Sequence, residues 1–85
     1  MQDGNGRCEI TAKEICEKLN IPYSKLNHYT YLGFFSIVEK NGNKRIYNWE
    51  EVETRYRQIT RLANEGYPLF LIRKKIAGEI ANELL

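Results

Sequence analysis

With 85 residues, 13 Lys and Arg against 11 Asp and Glu, the chain has room for one small domain. Its formal charge of +2 excludes a polybasic binder, and 42% hydrophobic residues with only two prolines exclude a chain too polar to fold. No apolar run approaches the roughly 18 residues a membrane-spanning helix needs.

The opening stretch, Met1-Gln2-Asp3-Gly4-Asn5-Gly6-Arg7, lacks the apolar core of an export signal. It reads as a disordered polar tail over residues 1–8, ahead of one domain over 9–85, with the cytoplasm as the expected compartment. In a reducing compartment Cys8 and Cys16 are expected as free thiols, and with no third or fourth ligand at metal spacing they do not make a zinc site. His28 is the single histidine, with no nucleophile motif around it, and the glycines form no phosphate-cradling loop. The expectation is a non-enzymatic chain with no cofactor and no metal.

The first helix signal is Ile10-Thr11-Ala12-Lys13-Glu14-Ile15. Thr11 and Glu14 have capping-box spacing, and Ile10 and Ile15 hold the two positions of a hydrophobic staple. Ala12, Ile15, Cys16 and Leu19 follow as one apolar stripe, which predicts a helix from about Ala12 to Leu19. Pro22 cannot continue that helix but can open another, so a second begins there. It turns Leu26 and Tyr29 inward and ends at Leu32-Gly33, where glycine suits a left-handed position past the helix end. Ile21 is the apolar plug of the turn between them. Two short helices joined by a tight turn predict a helix-turn-helix.

Phe34 to Lys40 is rich in strand formers, Asn41-Gly42 is a hairpin-turn signal, and Asn43 to Tyr47 returns. A two-residue turn there pairs Lys40 with Asn43, Val38 with Arg45 and Ile37 with Ile46. A hairpin after a helix-turn-helix is a wing, here with Lys40, Lys44 and Arg45 at its cationic tip. Asn48 with Glu51 then caps a third helix, its apolar side Val52, Tyr56, Ile59 and Ala63, closed by Gly66. Pro68 opens a last helix bearing Leu69, Ile72, Ile76, Ile80 and Leu84, with a break into two segments open at Gly78. The fold class predicted is mainly α: a helix-turn-helix, a two-stranded hairpin wing, then two further helices. The apolar surplus of the last helix, Phe70, Leu71, Leu84 and Leu85, reads either as packing within the domain or as a partner surface.

From Glu9 to about Ile76 these residues resemble the DNA-binding domain of MerR-family transcriptional regulators. That family's recognition-helix pattern, Leu-Arg-Tyr-Tyr then Leu-Gly-Leu, is met by Leu26-Asn27-His28-Tyr29 and Leu32-Gly33-Phe34. Its wing pattern, Asn-Gly then Arg-x-Tyr, is met by Asn41-Gly42 and Arg45-Ile46-Tyr47, and a later Gly-Phe-Ser-Leu pattern by Gly66-Tyr67-Pro68-Leu69. The sequence departs from the family at Asn27 and His28, where arginine and tyrosine are usual, and at Asn43, an extra residue at the wing tip.

The resemblance implies a winged helix-turn-helix that reads promoter DNA as a dimer. Its expected partners are double-stranded DNA, a second copy joined through the C-terminal helix or a downstream coiled coil, and RNA polymerase at a promoter. The chain is then either an isolated DNA-binding domain or a compact regulator. Two other readings stay open: an excisionase-like architectural DNA-binding protein in recombination, and a winged module for protein–protein contact.

The helical wheel agrees with a DNA-facing second helix. With Leu26 pointing to the core, Ser24, Asn27, His28 and Tyr31 lie about 100° or more away, with Lys25 flanking them. These polar groups suit base edges in a major groove, Asn27 in particular the N6 and N7 edge of adenine. Lys44 and Arg45 are expected on phosphates or in a minor groove. By resemblance, Tyr29 and Tyr47 place hydroxyls on phosphate, although both are equally read as core aromatics. Arg55, Arg57 and Arg61 read as solvated or paired with Glu51 and Glu53, and Arg73-Lys74-Lys75 as a solvated helix face. Charge placement supports the assignment: between Asn20 and Tyr47, Lys25, Lys40, Lys44 and Arg45 stand against Glu39 alone, whereas six basic and six acidic residues balance from Asn48 onward.

Overall fold

Thr11 closes a short strand and starts a helix at the same time. In the computed structural model, which describes residues 8–84 and the side chains of 8–78, β1 (Glu9–Thr11) runs directly into α1 (Ala12–Leu19). The Glu14 N–H donates to Thr11 Oγ1 at 3.2 Å and the Thr11 N–H donates to Glu14 Oε1 at 3.0 Å, completing the predicted capping box. Ile10 and Ile15, the staple positions, are both buried. The expected tail over 1–8 falls outside the described residues except for Cys8, whose carbonyl accepts from the Trp49 N–H.

Asn20, at φ 55°, turns the chain out of α1, and the Ile21 N–H returns to the Cys16 carbonyl. Asparagine is one of the few non-glycine residues that takes this left-handed conformation at small cost. Ile21 is buried in the turn as anticipated, and Pro22 precedes α2 (Tyr23–Tyr31). Gly33, at φ 91°, ends α2: the Gly33 N–H bonds to the Thr30 carbonyl and the Phe34 N–H to the Tyr29 carbonyl. This is a Schellman end, and its apolar contact is the edge-on packing of Phe34 against Tyr29, ring centroids 5.6 Å apart.

β2 (Ile37–Asn41) and β3 (Lys44–Asn48) form the predicted hairpin in a shifted register. Asn41 pairs with Lys44, Lys40 with Arg45 and Glu39 with Ile46, so the turn is Gly42-Asn43 rather than Asn41-Gly42. Positive φ falls on Gly42 (63°) and not on Asn43, which is the type II′ arrangement with glycine first. It leaves Asn41 in extended backbone, within the strand. A bulge between Ile37 and Glu39 then shifts the pairing again, bringing Ile37 opposite Tyr47.

The strand missed in the sequence is β1. It lies on the other side of β3, Ile10 opposite Tyr47, giving an antiparallel sheet in the order β1-β3-β2. Three residues are too few to display an alternating pattern.

Asn48 Oδ1 accepts from the Glu51 N–H and caps α3 (Trp49–Asn64), as expected. Glu51 Oε1 in turn accepts from the Ser36 N–H, fastening the segment before β2 to the first turn of α3. α3 ends at Gly66 with the same pair of bonds seen at Gly33. Its buried residues are Val52, Ile59 and Leu62; Ala63, expected on that stripe, is exposed, because Leu62 continues the face at a spacing of three and has more apolar surface to hide. α4 (Leu69–Leu84) runs through Gly78 as one helix, with Ile72 and Ile76 buried.

The described chain is therefore mainly α, with four helices and one small antiparallel sheet. It divides into two compact units, Met1–Glu53 and Thr54–Leu85. The core of the first is Ile10, Ala12, Ile15, Ile21, Leu26, Tyr29, Phe34, Phe35, Tyr47 and Val52; that of the second is Ile59, Leu62, Ile72 and Ile76. Among the described residues no helix is long and apolar enough to cross a membrane.

Candidate nucleic-acid interface

Leu26 and Tyr29 anchor α2 in the core of the first unit, and that sets what the rest of the helix presents. Ser24, Lys25, Asn27, His28 and Tyr31 are all exposed, as the helical wheel predicts, with Tyr31 86% exposed. One exposed face thus carries hydroxyl, ammonium, amide, imidazole and phenol groups, all able to hydrogen-bond to base edges or phosphates. The Lys25 ammonium stands 5.8 Å from the centroid of the Tyr29 ring, on the shoulder of that face.

The two tyrosines with dual readings both have buried side chains. Tyr47 is wholly buried, and its hydroxyl lies 2.9 Å from Thr30 Oγ1. The Thr30 hydroxyl proton goes to the Leu26 carbonyl at 2.8 Å, so Tyr47 is the donor of the pair. Against the expectation of a hydroxyl on phosphate, the Tyr47 hydroxyl is engaged inside the first unit. The physical cause is strand alternation: β3 is the middle strand, and Tyr47 points to the side covered by α2. The Tyr29 ring stands edge-on to both Phe34 and Phe35, with 7% of its surface exposed.

Arg45 stands two residues before Tyr47 and shares its face of the sheet. Instead of projecting freely from the hairpin, it lies against α2. One guanidinium nitrogen donates to the Tyr23 hydroxyl at 2.6 Å and to Asn27 Oδ1, and the guanidinium stacks 5.1 Å from the Tyr23 ring centroid and 5.8 Å from that of Tyr47. It is half-buried and bridges hairpin and helix. Lys44 and Lys40 remain exposed on the hairpin, with Lys40 directly opposite Arg45.

Tyr23 was not among the sequence-derived site residues. The signal that finds it is the same alternation: with Tyr47 inward, Arg45 must face α2, and Tyr23 and Asn27 are successive residues, four apart, on one side of that helix.

An open groove of about 600 Å³ lies between α1 and the hairpin, with Glu14 and Glu17 on its α1 side and Tyr23, Lys44 and Arg45 opposite. The hydrogen bonds from Thr11, backbone first and hydroxyl second, hold the Glu14 carboxyl below its usual range, with Lys18 and Lys44 adding to the effect. Neither Cys8 nor Cys16 is in a disulfide, and burial pushes the Cys16 thiol up. In the second unit Arg61 pairs with Glu65 at 3.6 Å. Phe70 there is 66% exposed, in keeping with an apolar surplus on α4.

Set against known sequence families, curated proteins and solved structures, the chain matches none of them. The functional reading therefore rests on this geometry and on the motifs of the sequence.

Proposed function

We propose that the first unit is a winged helix-turn-helix that binds double-stranded DNA sequence-specifically, as the DNA-binding part of a MerR-like bacterial transcriptional regulator. α1 and α2 form the helix-turn-helix, α2 enters the major groove, and the β2–β3 hairpin is the wing on the sugar-phosphate backbone or in the minor groove. The observation that carries this reading is the exposed polar face of α2, tied to a cationic hairpin through Arg45. A helix face of mixed donors and acceptors reads bases; a lysine-bearing hairpin beside it fixes register on the backbone without reading sequence. In the MerR manner, two such units would bind a pseudo-palindromic promoter site.

The test is a comparison of His28→Ala and Lys44→Ala on matched and scrambled duplexes. His28→Ala relaxes preference at particular base positions, by about 1–3 kcal/mol each. Lys44→Ala weakens binding to every duplex alike and lowers the salt dependence. Loss of neither kind, with both variants folded, contradicts the assignment of α2 and the wing.

A second reading, a winged module for protein contact, draws on Tyr31, Ile37 and Val38, all exposed apolar-bodied side chains in this unit. Absence of affinity for any duplex favours it.

A further inference from the structure

Arg45 has five N–H donors and no acceptor. Its bond to Asn27 therefore fixes the amide orientation: the oxygen faces the guanidinium and the NH₂ group turns away from it. The same logic applies at Tyr23, whose oxygen accepts from Arg45 and whose own proton is left to donate elsewhere. One cation thus occupies an acceptor on each of two exposed side chains and leaves both presenting donors outward. Asn27 Oδ1 keeps a second lone pair, but a donor approaching it meets the positive guanidinium beside it.

Glu14 and Glu17 face this cluster from across the open groove. Arg45's hydrogen-bond partners are both neutral, and its cross-strand neighbour is Lys40. Like charges directly opposite in a sheet repel, and an electron-rich ligand at this point relieves that repulsion.

Resting on the DNA-binding reading above, we infer that Tyr23, Asn27 and Arg45, with Lys40 beside them, form a donor-only site for hydrogen-bond acceptors of DNA. The acceptor is either a phosphodiester oxygen or the O6/N7 edge of guanine. Adenine, which needs an acceptor for its N6 amine beside a donor for N7, is disfavoured. Asn27 thereby loses the adenine role its residue type implies, and Tyr23 becomes a binding residue.

The experiment is a quantitative selection from randomised duplexes, followed by salt titrations, with the wild-type chain and with Tyr23→Phe, Asn27→Ala and Arg45→Met. Tyr23 and Asn27 are exposed, and Tyr23→Phe keeps the ring under the guanidinium, so these two variants stay folded even if Arg45→Met does not. If guanine is the ligand, the wild-type chain selects it at one position, and Tyr23→Phe and Asn27→Ala each reduce that preference roughly tenfold. Replacing that guanine with 7-deazaguanine has a similar effect. If phosphate is the ligand, the variants weaken all duplexes alike, and Arg45→Met reduces the salt slope by about 0.9. An adenine preference that disappears in Asn27→Ala overturns the inference, as does unchanged binding in Tyr23→Phe and Asn27→Ala. Failure of the wild-type chain to bind any duplex overturns the DNA-binding reading itself, and is distinguished because every other outcome is read from a bound duplex.

Discussion

Tyr47 and Arg45, two residues apart on β3, show how much one buried hydroxyl and one guanidinium decide. Tyr47→Phe keeps the packed ring and removes only the bond to Thr30, whose own proton still reaches the Leu26 carbonyl. The expected cost is about 1 kcal/mol in a urea unfolding curve, with duplex affinity unchanged. A large loss of affinity at intact stability would return Tyr47 to the DNA surface. Glu14 gives a pH signature. Its carboxyl is held below the usual range by Thr11, so the folded state binds the proton less readily than the unfolded chain. That stabilisation is complete above the unfolded carboxyl range and is lost as pH falls through the lower folded value. Thr11→Ala removes the cap and the hydroxyl's share of that stabilisation but keeps the backbone N–H bond to Glu14, costing about 1 kcal/mol at neutral pH and only partly flattening the stability profile between about pH 3 and 5. Acid unfolding of the two proteins, followed by circular dichroism, checks both effects.

At the scale of elements, what could be read from the sequence was what local chemistry dictates. The capping box at Thr11, the glycine end of α2, the Asn48 cap of α3 and the two proline-led helix starts all depend on residues within a few positions of one another, and each stands where the sequence puts it. Long-range pairing was not legible. β1 exists because β3 offers it an edge, and a three-residue segment carries no period to announce that. The hairpin register slipped because Asn41-Gly42 and Gly42-Asn43 are both acceptable turn dipeptides, and the choice between type I′ and type II′ depends on the pairing of the whole strand. Part of the candidate site depended on this. The exposed face of α2 follows from its own periodicity, whereas the Tyr23–Asn27–Arg45 contact requires knowing which way β3 faces. Gly33→Ala tests the element most directly. At φ 91° a Cβ meets no neighbouring atom, so the loss of about 1–2 kcal/mol expected in thermal unfolding comes from backbone conformation alone.

At the scale of the molecule, the basic residues of the first unit gather on α2 and the hairpin, where Lys25, Lys40, Lys44 and Arg45 stand against Glu39 alone, although that unit sums to −1 and the second to +3. A small and localised positive surface implies few phosphate contacts, hence a moderate salt slope and weak binding by a single copy. The measurement that tests the central claim most directly is a fluorescence-anisotropy titration of the wild-type chain with labelled duplexes from selected and scrambled pools, repeated from low to physiological salt. Binding to duplex DNA at low salt is expected, with a log–log salt slope corresponding to only a few phosphates and tighter binding to the selected sequence than to the scrambled one. No affinity for any duplex at low salt, in a preparation shown to be folded, would contradict it.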